Sequence, residues 1–326
     1  MKILVIGGTK FVGRHFVEAA LSRGHELTLF TRGETNPELF PETEKLRGNR
    51  DGNLDALRDR NWDAVLDTSG YVPRVVRQSV ELLRDAFAHY TFISSIAAYA
   101  SQAGRPTEGD PRAVLDDPDT EDVLPNYGGL KAACEQVVEE AFGERALIIR
   151  PGLIVGPHDP TGRFTYWPHR IARGGDVLAP EPRDKTVQFI DVRDLSEWIV
   201  RLVEERVAGD FNATGPVPPP TMEAFLDACR EAVGPDARLV WVDPEFLDEH
   251  DVGEWMDLPL WIGPLSPEFA GMLNVDVSKA IAQGLTFRPL GDTIRATLAE
   301  AELKDEAGLK PERERELLGA WAARSA

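Results

Sequence analysis

Cysteine is nearly absent. Cys134 and Cys229 are the two in 326 residues, which excludes a disulfide framework and points to reduced thiols. No apolar run approaches membrane-spanning length, so no membrane is expected as a partner. Met1-Lys2-Ile3-Leu4-Val5-Ile6-Gly7 runs straight into a strand, so no signal peptide is expected and the cytoplasm is the expected compartment. Positive charge is scarce: 36 Lys and Arg stand against 55 Asp and Glu, a formal charge of −19. Such a surface repels nucleic acid and anionic lipid. His158 and His169 lack metal-ligand spacing, and no metal site is expected. What is present, 42% apolar and 28% charged residues, is ordinary globular usage, long enough for a large α/β unit or two packed domains.

Short apolar runs alternate with amphipathic stretches in the first half. Ile3–Ile6, Leu27–Phe30, Ala64–Leu66, Tyr90–Ile93 and Leu147–Ile149 read as strands buried on both faces. Helical segments lie near 12–22, 73–87 and 122–142. This alternation predicts an α/β fold, a doubly wound parallel sheet of Rossmann type with a smaller C-terminal substrate-binding domain. The expected boundaries are 1–160 for the dinucleotide domain, with elements returning at about 186–215. Residues 161–185 and 216–326 then form the substrate domain. Val187–Ile190 with Val192–Glu205, and Asp210–Ala213 before Thr221–Val233, read as later strand–helix pieces. The charged tail after Glu302 reads as an exposed helix.

The first strand ends in Gly7-Gly8-Thr9-Lys10-Phe11-Val12-Gly13 and a helix follows. Gly7 permits a tight turn, Gly13 lets the helix pack closely, and the helix-start amides offer partial positive charge to a pyrophosphate. Lys10 stands where the usual pattern has its middle glycine. After the second strand, Thr31-Arg32-Gly33 offers no acid for the ribose hydroxyls but a guanidinium suited to a 2′-phosphate. NADP(H) is therefore the preferred cofactor, with NAD(H) the other candidate.

Tyr127 and Lys131, four residues apart on a helix, share one face. The spacing predicts an ammonium that lowers the phenol pKa and anchors the nicotinamide ribose, leaving Tyr127 a usable acid and base. Upstream, Phe92-Ile93-Ser94-Ser95-Ile96-Ala97-Ala98-Tyr99 puts hydroxyls at a strand's carboxyl end, where such sheets bind ligands.

With Arg150-Pro151-Gly152, Gly156-Pro157 and Phe189-Ile190-Asp191-Val192-Arg193-Asp194-Leu195, these pieces resemble the NAD-dependent epimerase/dehydratase family, the extended short-chain dehydrogenases/reductases. The resemblance spans about residues 1–215. It implies Tyr127 as acid/base, Lys131 as its tuner and Ser95 as second donor to the substrate oxygen. It implies a cofactor held by Gly7, Thr9, Lys10, Phe11, Val12, Gly13, Thr31, Arg32, Asn49, Thr68, Ser69, Gly70, Ser94, Tyr127, Lys131, Pro151 and Leu153, with Asn49 where the family often has an adenine-contacting aspartate. It also implies a homodimer through segments 73–87 and 122–142.

Departures from the family bear on the substrate. Ile96 and Ala97 replace the acids that dehydratases use, and Val187 and the arginine-free stretch between Arg238 and Arg288 replace pyrophosphate-gripping arginines. Tyr99, Phe164, Tyr166 and Trp167 are the expected substrate-pocket residues, which suits a small, mostly apolar molecule. The expected activity is an NAD(P)-dependent oxidoreductase acting on a carbonyl or secondary alcohol of a small-molecule substrate. A sugar or sugar-nucleotide epimerase would use the same serine, tyrosine and lysine. The glycine turn with Phe11 in it also resembles an atypical branch that includes chloroplast stem-loop RNA-binding proteins, so an RNA-binding or regulatory Rossmann protein is the alternative from another class.

Overall fold

The computed structural model describes residues 1–234, 236–301 and 307–324. Strands in chain order are β1 (Lys2–Ile6), β2 (Glu26–Thr31), β3 (Glu44–Arg47), β4 (Ala64–Asp67), β5 (His89–Ile93), β6 (Ala146–Pro151), β7 (Ile154–Val155), β8 (Gly175–Pro180), β9 (Ile190–Asp191), β10 (Gly209–Ala213) and β11 (Ala237–Val242). The α-helices are α1 (Phe11–Ser22), α2 (Pro73–Leu83), α3 (Val123–Phe142), α4 (Arg163–Ala172), α5 (Val192–Glu204), α6 (Met222–Val233), α7 (Pro244–Glu249), α8 (Ser278–Ala282), α9 (Leu290–Glu300) and α10 (Pro311–Arg324). The chain forms two units. The first is 1–152 with 192–214 and 275–286; the second is 153–191 with 215–274 and 287–326.

The first unit is a parallel sheet of seven strands in the order β10-β6-β5-β4-β1-β2-β3. Strands β4, β5 and β6 are buried throughout, as expected of a sheet with helices on both faces. Helix α1 packs with α5, and α2 with α3. In α2, Val76, Val80 and Leu83 recur at helical spacing, and Pro73 begins the helix with no amide to leave unpaired. The order of connection reverses between β1 and β4, so their carboxyl ends open the crevice where sheets of this kind bind nucleotides.

The second unit holds two short parallel pairs, β8 with β11 and β7 with β9. Its core is aromatic: Phe164 lies 5.0 Å from Phe189 and 5.2 Å from Phe225 by ring centroids. The Trp167 indole donates to the Pro259 carbonyl and the Trp261 indole to that of Glu181.

Several boundaries differ from the sequence reading. The first unit closes at 152 rather than 160, the returning segment begins at Val192, and a further return at 275–286 was not foreseen. Of Val187–Ile190 only Ile190 is in a strand, which extends to Asp191. The charged tail does form a helix, but only from Pro311 on, and it is not a purely solvated face. Leu317 and Glu314 are buried, Glu314 paired with Arg170. The earlier part of that tail, 302–306, lies outside the described residues.

Candidate active site

The glycine turn after β1 is shaped by close approach. Gly7 has φ +111°, and a Cβ added there would stand 2.4 Å from Thr68 Oγ1; one on Gly13 would meet the Gly8 amide nitrogen at 2.7 Å. Thr68 Oγ1 in turn donates to the Ile6 carbonyl. Lys10 caps α1 with extended backbone, no side chain caps the helix, and no acid sits in its first turn. The positive end of the helix dipole is left to an anion. Asn36 pins the turn by donating to the Thr9 carbonyl, and Phe11 enters the helix with φ +35°. Val12 follows, half-buried, and Lys10 is exposed. A backbone cradle that any Cβ would fill, at the uncapped start of a helix, fits a dinucleotide pyrophosphate.

At the next strand end, Thr31 is half-buried and the Arg32 side chain is 65% exposed, 3.4 Å from Glu34. Arg47, which the sequence reading passed over, is the register partner of Thr31 on β3. Its guanidinium donates to the Arg32 carbonyl and occupies the place where a Gly33 side chain would stand. Two exposed arginines therefore share this strand end. Asn49 is exposed, but its side-chain oxygen accepts from the Asp51 amide within its own turn, so only the rest of that amide is left to meet adenine. The neighbouring Arg50 is instead turned inward, paired with Asp67 at 2.7 Å. Asp67 also accepts from Tyr90 and from the Ser69 amide, and the Ser69 hydroxyl touches Arg50.

Residues 68–70 bridge the two halves of the site. Thr68 underlies the Gly7 turn, and the Gly70 carbonyl accepts from Lys131 Nζ at 2.8 Å. Lys131 donates also to the Ile93 carbonyl at 2.7 Å and lies 3% exposed over the Tyr71 and Phe92 rings. Burial pulls its ammonium down to about 8. The turn at 96–98 and α3 approach so closely that a Cβ on Gly128 would stand 2.2 Å from the Ala97 carbonyl oxygen. That contact brings the Tyr127 phenol close enough to Ser95 for the serine to act on its pKa. Ser95 Oγ, heading the turn, accepts from the Ala97 amide. The Tyr127 pKa does not fall as the spacing predicted. Burial raises it first and the Tyr71 ring, 6.4 Å away, raises it further, with Ser95 opposing. The physical reason is that the Lys131 charge is directed at two backbone carbonyls.

Ser94 turns away from this group: its hydroxyl donates to Glu135, so it has no proton left for a cofactor. Glu135 also takes Arg150 in a buried pair at 2.8 Å, and Arg112 at 3.2 Å. Tyr99 belongs to the same network rather than to a pocket. Its hydroxyl donates to Asn212 Oδ1 and accepts from Arg150, and its ring lies beneath that guanidinium. Phe164, Tyr166 and Trp167 are all three buried in the second unit's core, their rings covered by Phe189, Phe225, Gly308 and each other. Pro151 is buried where β6 pairs with β10, and Leu153 is half-buried with its carbonyl accepting from Ile190.

A family model described as the NAD dependent epimerase/dehydratase family matches residues 3–214. The chain is 26% identical over 268 residues to the chloroplast stem-loop binding protein of 41 kDa b of Arabidopsis thaliana, covering 76% of this chain and 67% of that one. Among solved structures it is similar to the Bordetella bronchiseptica enzyme WbmH in complex with NAD+ at 19% identity and TM-score 0.65, covering 91% of this chain and 97% of that one. A UDP-glucuronic acid 4-epimerase from Bacillus cereus with NAD is similar at 17% identity and TM-score 0.66, covering 91% and 94%. A human epimerase family protein with NADPH is similar at 18% identity and TM-score 0.62, covering 92% and 99%. At these identities the structural likeness is one of fold.

Proposed function

This chain belongs to the NAD dependent epimerase/dehydratase family, and from that premise we propose that it is an NADP(H)-dependent oxidoreductase acting on a carbonyl or secondary alcohol of a small substrate. The observation that carries the reading is the Tyr127 phenol beside Ser95 and a buried Lys131, joined through residues 68–70 to the glycine turn. When bound, the dinucleotide supplies or accepts the hydride. Tyr127, its phenol protonated at neutral pH because burial raises its pKa, delivers the proton to the substrate oxygen, and Ser95 holds that oxygen with a second hydrogen bond. Lys131, still largely charged at pH 7, favours negative charge developing on that oxygen.

The exposed Arg32 and Arg47 support a 2′-phosphate and hence NADP(H). The lack of arginine between Arg238 and Arg288, in a chain of net charge −19, supports a substrate without a pyrophosphate. Parallel titration with NADPH and NADH, read by energy transfer from tryptophan to the dihydronicotinamide, tests the cofactor. Tighter NADPH binding is expected, equal binding removes the arginine assignment, and binding of neither removes the enzyme reading. A second reading, epimerisation by oxidation and re-reduction at one carbon, would use the same serine, tyrosine and lysine and is supported by the match to the epimerase/dehydratase family. It predicts that cofactor is recovered unchanged after turnover, where net reduction consumes NADPH.

A further inference from the structure

The second unit contains a cavity of about 200 Å³ lined by Thr161, Arg163, Trp255, Met256 and Ala307. Its volume is below that of a drug-sized pocket, which runs to roughly 300–1,000 Å³, and suits a small molecule or one end of a larger one. Arg163 opens α4 behind Gly162, a left-handed residue with no side chain to cap the helix. Its guanidinium lies 5.3 Å from the centre of the Trp255 ring, and its Nε is buried without a hydrogen-bond partner. The other buried or half-buried arginines of this unit are paired: Arg170 with Glu314 and Arg288 with Asp191. Arg163 has no carboxylate within 4 Å among the described residues. Asp159 acts on it only through the longer-range field and keeps its own Oδ1 on the Thr161 amide. Burial therefore disfavours the Arg163 charge. A partly desolvated guanidinium with no carboxylate partner among the described residues is a standing cost that an anion would relieve. Trp255 is held in the left-handed region at φ +64°, and Met256 is half-exposed, so the apolar wall of the cavity faces outward at one edge.

We propose that this cavity binds the carboxylate of a small organic acid, with Arg163 holding the anion and Trp255 and Met256 against the hydrocarbon. One guanidinium matches one planar carboxylate in two-pronged fashion. A dianionic phosphate would call for more donors than a single arginine and Thr161 supply, in a chain already at −19. The inference does not rest on the dinucleotide reading, because every residue in it belongs to the second unit.

Benzoate, its neutral isostere benzamide, and inorganic phosphate are titrated into the full chain and followed by ligand-observed NMR and calorimetry. Benzoate is expected to bind at least about ten-fold more tightly than benzamide, and Arg163→Gln to remove most of that difference. Arg163→Lys should fall between, keeping charge without the fork. In anion-free buffer Arg163→Gln should melt no lower than the parent, because it removes a half-buried charge with no carboxylate partner among the described residues, and benzoate should raise the melting temperature of the parent alone. Equal binding of benzoate and benzamide, no binding of benzoate, or an undiminished benzoate affinity in Arg163→Gln would overturn the proposal. Preference for phosphate would overturn the carboxylate assignment, and a lower melting temperature for anion-free Arg163→Gln would make the arginine a structural residue. NADPH affinity of the same variant, expected unchanged, separates failure here from failure of the cofactor reading.

Discussion

The two units use aromatic and polar side chains in opposite ways. In the first, the polar groups that matter gather at the carboxyl ends of parallel strands: Thr68 after β4, Ser95 after β5, Arg32 after β2 and Arg47 as the last residue of β3. Tyr127 joins them from a helix. In the second, Phe164, Tyr166 and Trp167 lie on α4 and are consumed by the core. An aromatic residue read from sequence is thus a candidate for chemistry only where the topology brings its element to a strand-end crevice. Elsewhere its large apolar area is worth more as packing.

The sharpest test of that contrast is Tyr127→Phe. The substitution removes one oxygen at a half-buried position, so thermal stability should hold and NADPH binding should persist. Turnover of whichever carbonyl the enzyme accepts should fall by about a hundred- to ten-thousand-fold, the usual worth of a positioned acid. A variant that keeps its turnover would erase the distinction between this tyrosine and the buried Tyr99. Trp167→Ala should do the reverse. It deletes a fully buried indole and its hydrogen bond to Pro259, and should cost about 3–5 kcal/mol in denaturant unfolding. A loss under about 1 kcal/mol would mean the ring lines accessible space after all.

A third test turns on the buried ammonium. Lys131 titrates at about 8 in the folded chain against 10.5 for an ordinary lysine, because burial disfavours its charge. Between those values the unfolded chain holds the proton that the folded chain has lost. Stability should therefore rise with pH from about 8 to about 10.5, and be smallest, as far as this group is concerned, below about 8. Lys131→Met, with nothing to titrate, should lack that rise. Subtracting its pH–stability profile from that of the parent should leave a slope of order 1–3 kcal/mol in all across the window. A difference that instead fell with pH would mean that the Gly70 and Ile93 carbonyls stabilise the charge more than burial opposes it.

How much of this was legible beforehand follows the same division. Strands β1, β2, β4, β5 and β6 are continuous apolar runs, and the sequence marks them within one or two residues at each end. The glycine turn is legible because Gly7 takes a φ of +111° directly after the strand and Gly13 meets the Gly8 backbone within the same turn. Strand β3 was not, being four residues with a single buried side chain, Leu46, at the sheet edge. Arg47 was lost with it. Gly128, between Tyr127 and Lys131, is what lets α3 touch the 96–98 turn. Its role depends on a contact thirty residues away in sequence. The inward turn of Arg50 onto Asp67, and of Ser94 onto Glu135, likewise depends on partners that no local pattern announces. The aromatic core of the second unit gave no periodic signal separating lining from packing.

Arg47 is the smallest of the expected effects and the one that bears most directly on what the sequence could not convey. Arg32 and Arg47 stand side by side because Thr31 and Arg47 are paired across β2 and β3, and Gly33 leaves the Arg47 guanidinium the room it occupies. If both hold a 2′-phosphate, Arg47→Ala should weaken NADPH binding about ten-fold, the worth of one charge-assisted contact at an exposed site. NADH binding should be unchanged. Arg32→Ala should act similarly, and because the two cations share one phosphate, the double variant should lose less than the product of the single losses or more, but not equal it. Raising the salt concentration should shrink every one of these differences, since both side chains are in contact with solvent. If Arg47→Ala leaves the NADPH preference intact while Arg32→Ala abolishes it, then β3 contributes only the seat of Gly33, and the specificity at this strand end is confined to the residue that the sequence pattern already singled out.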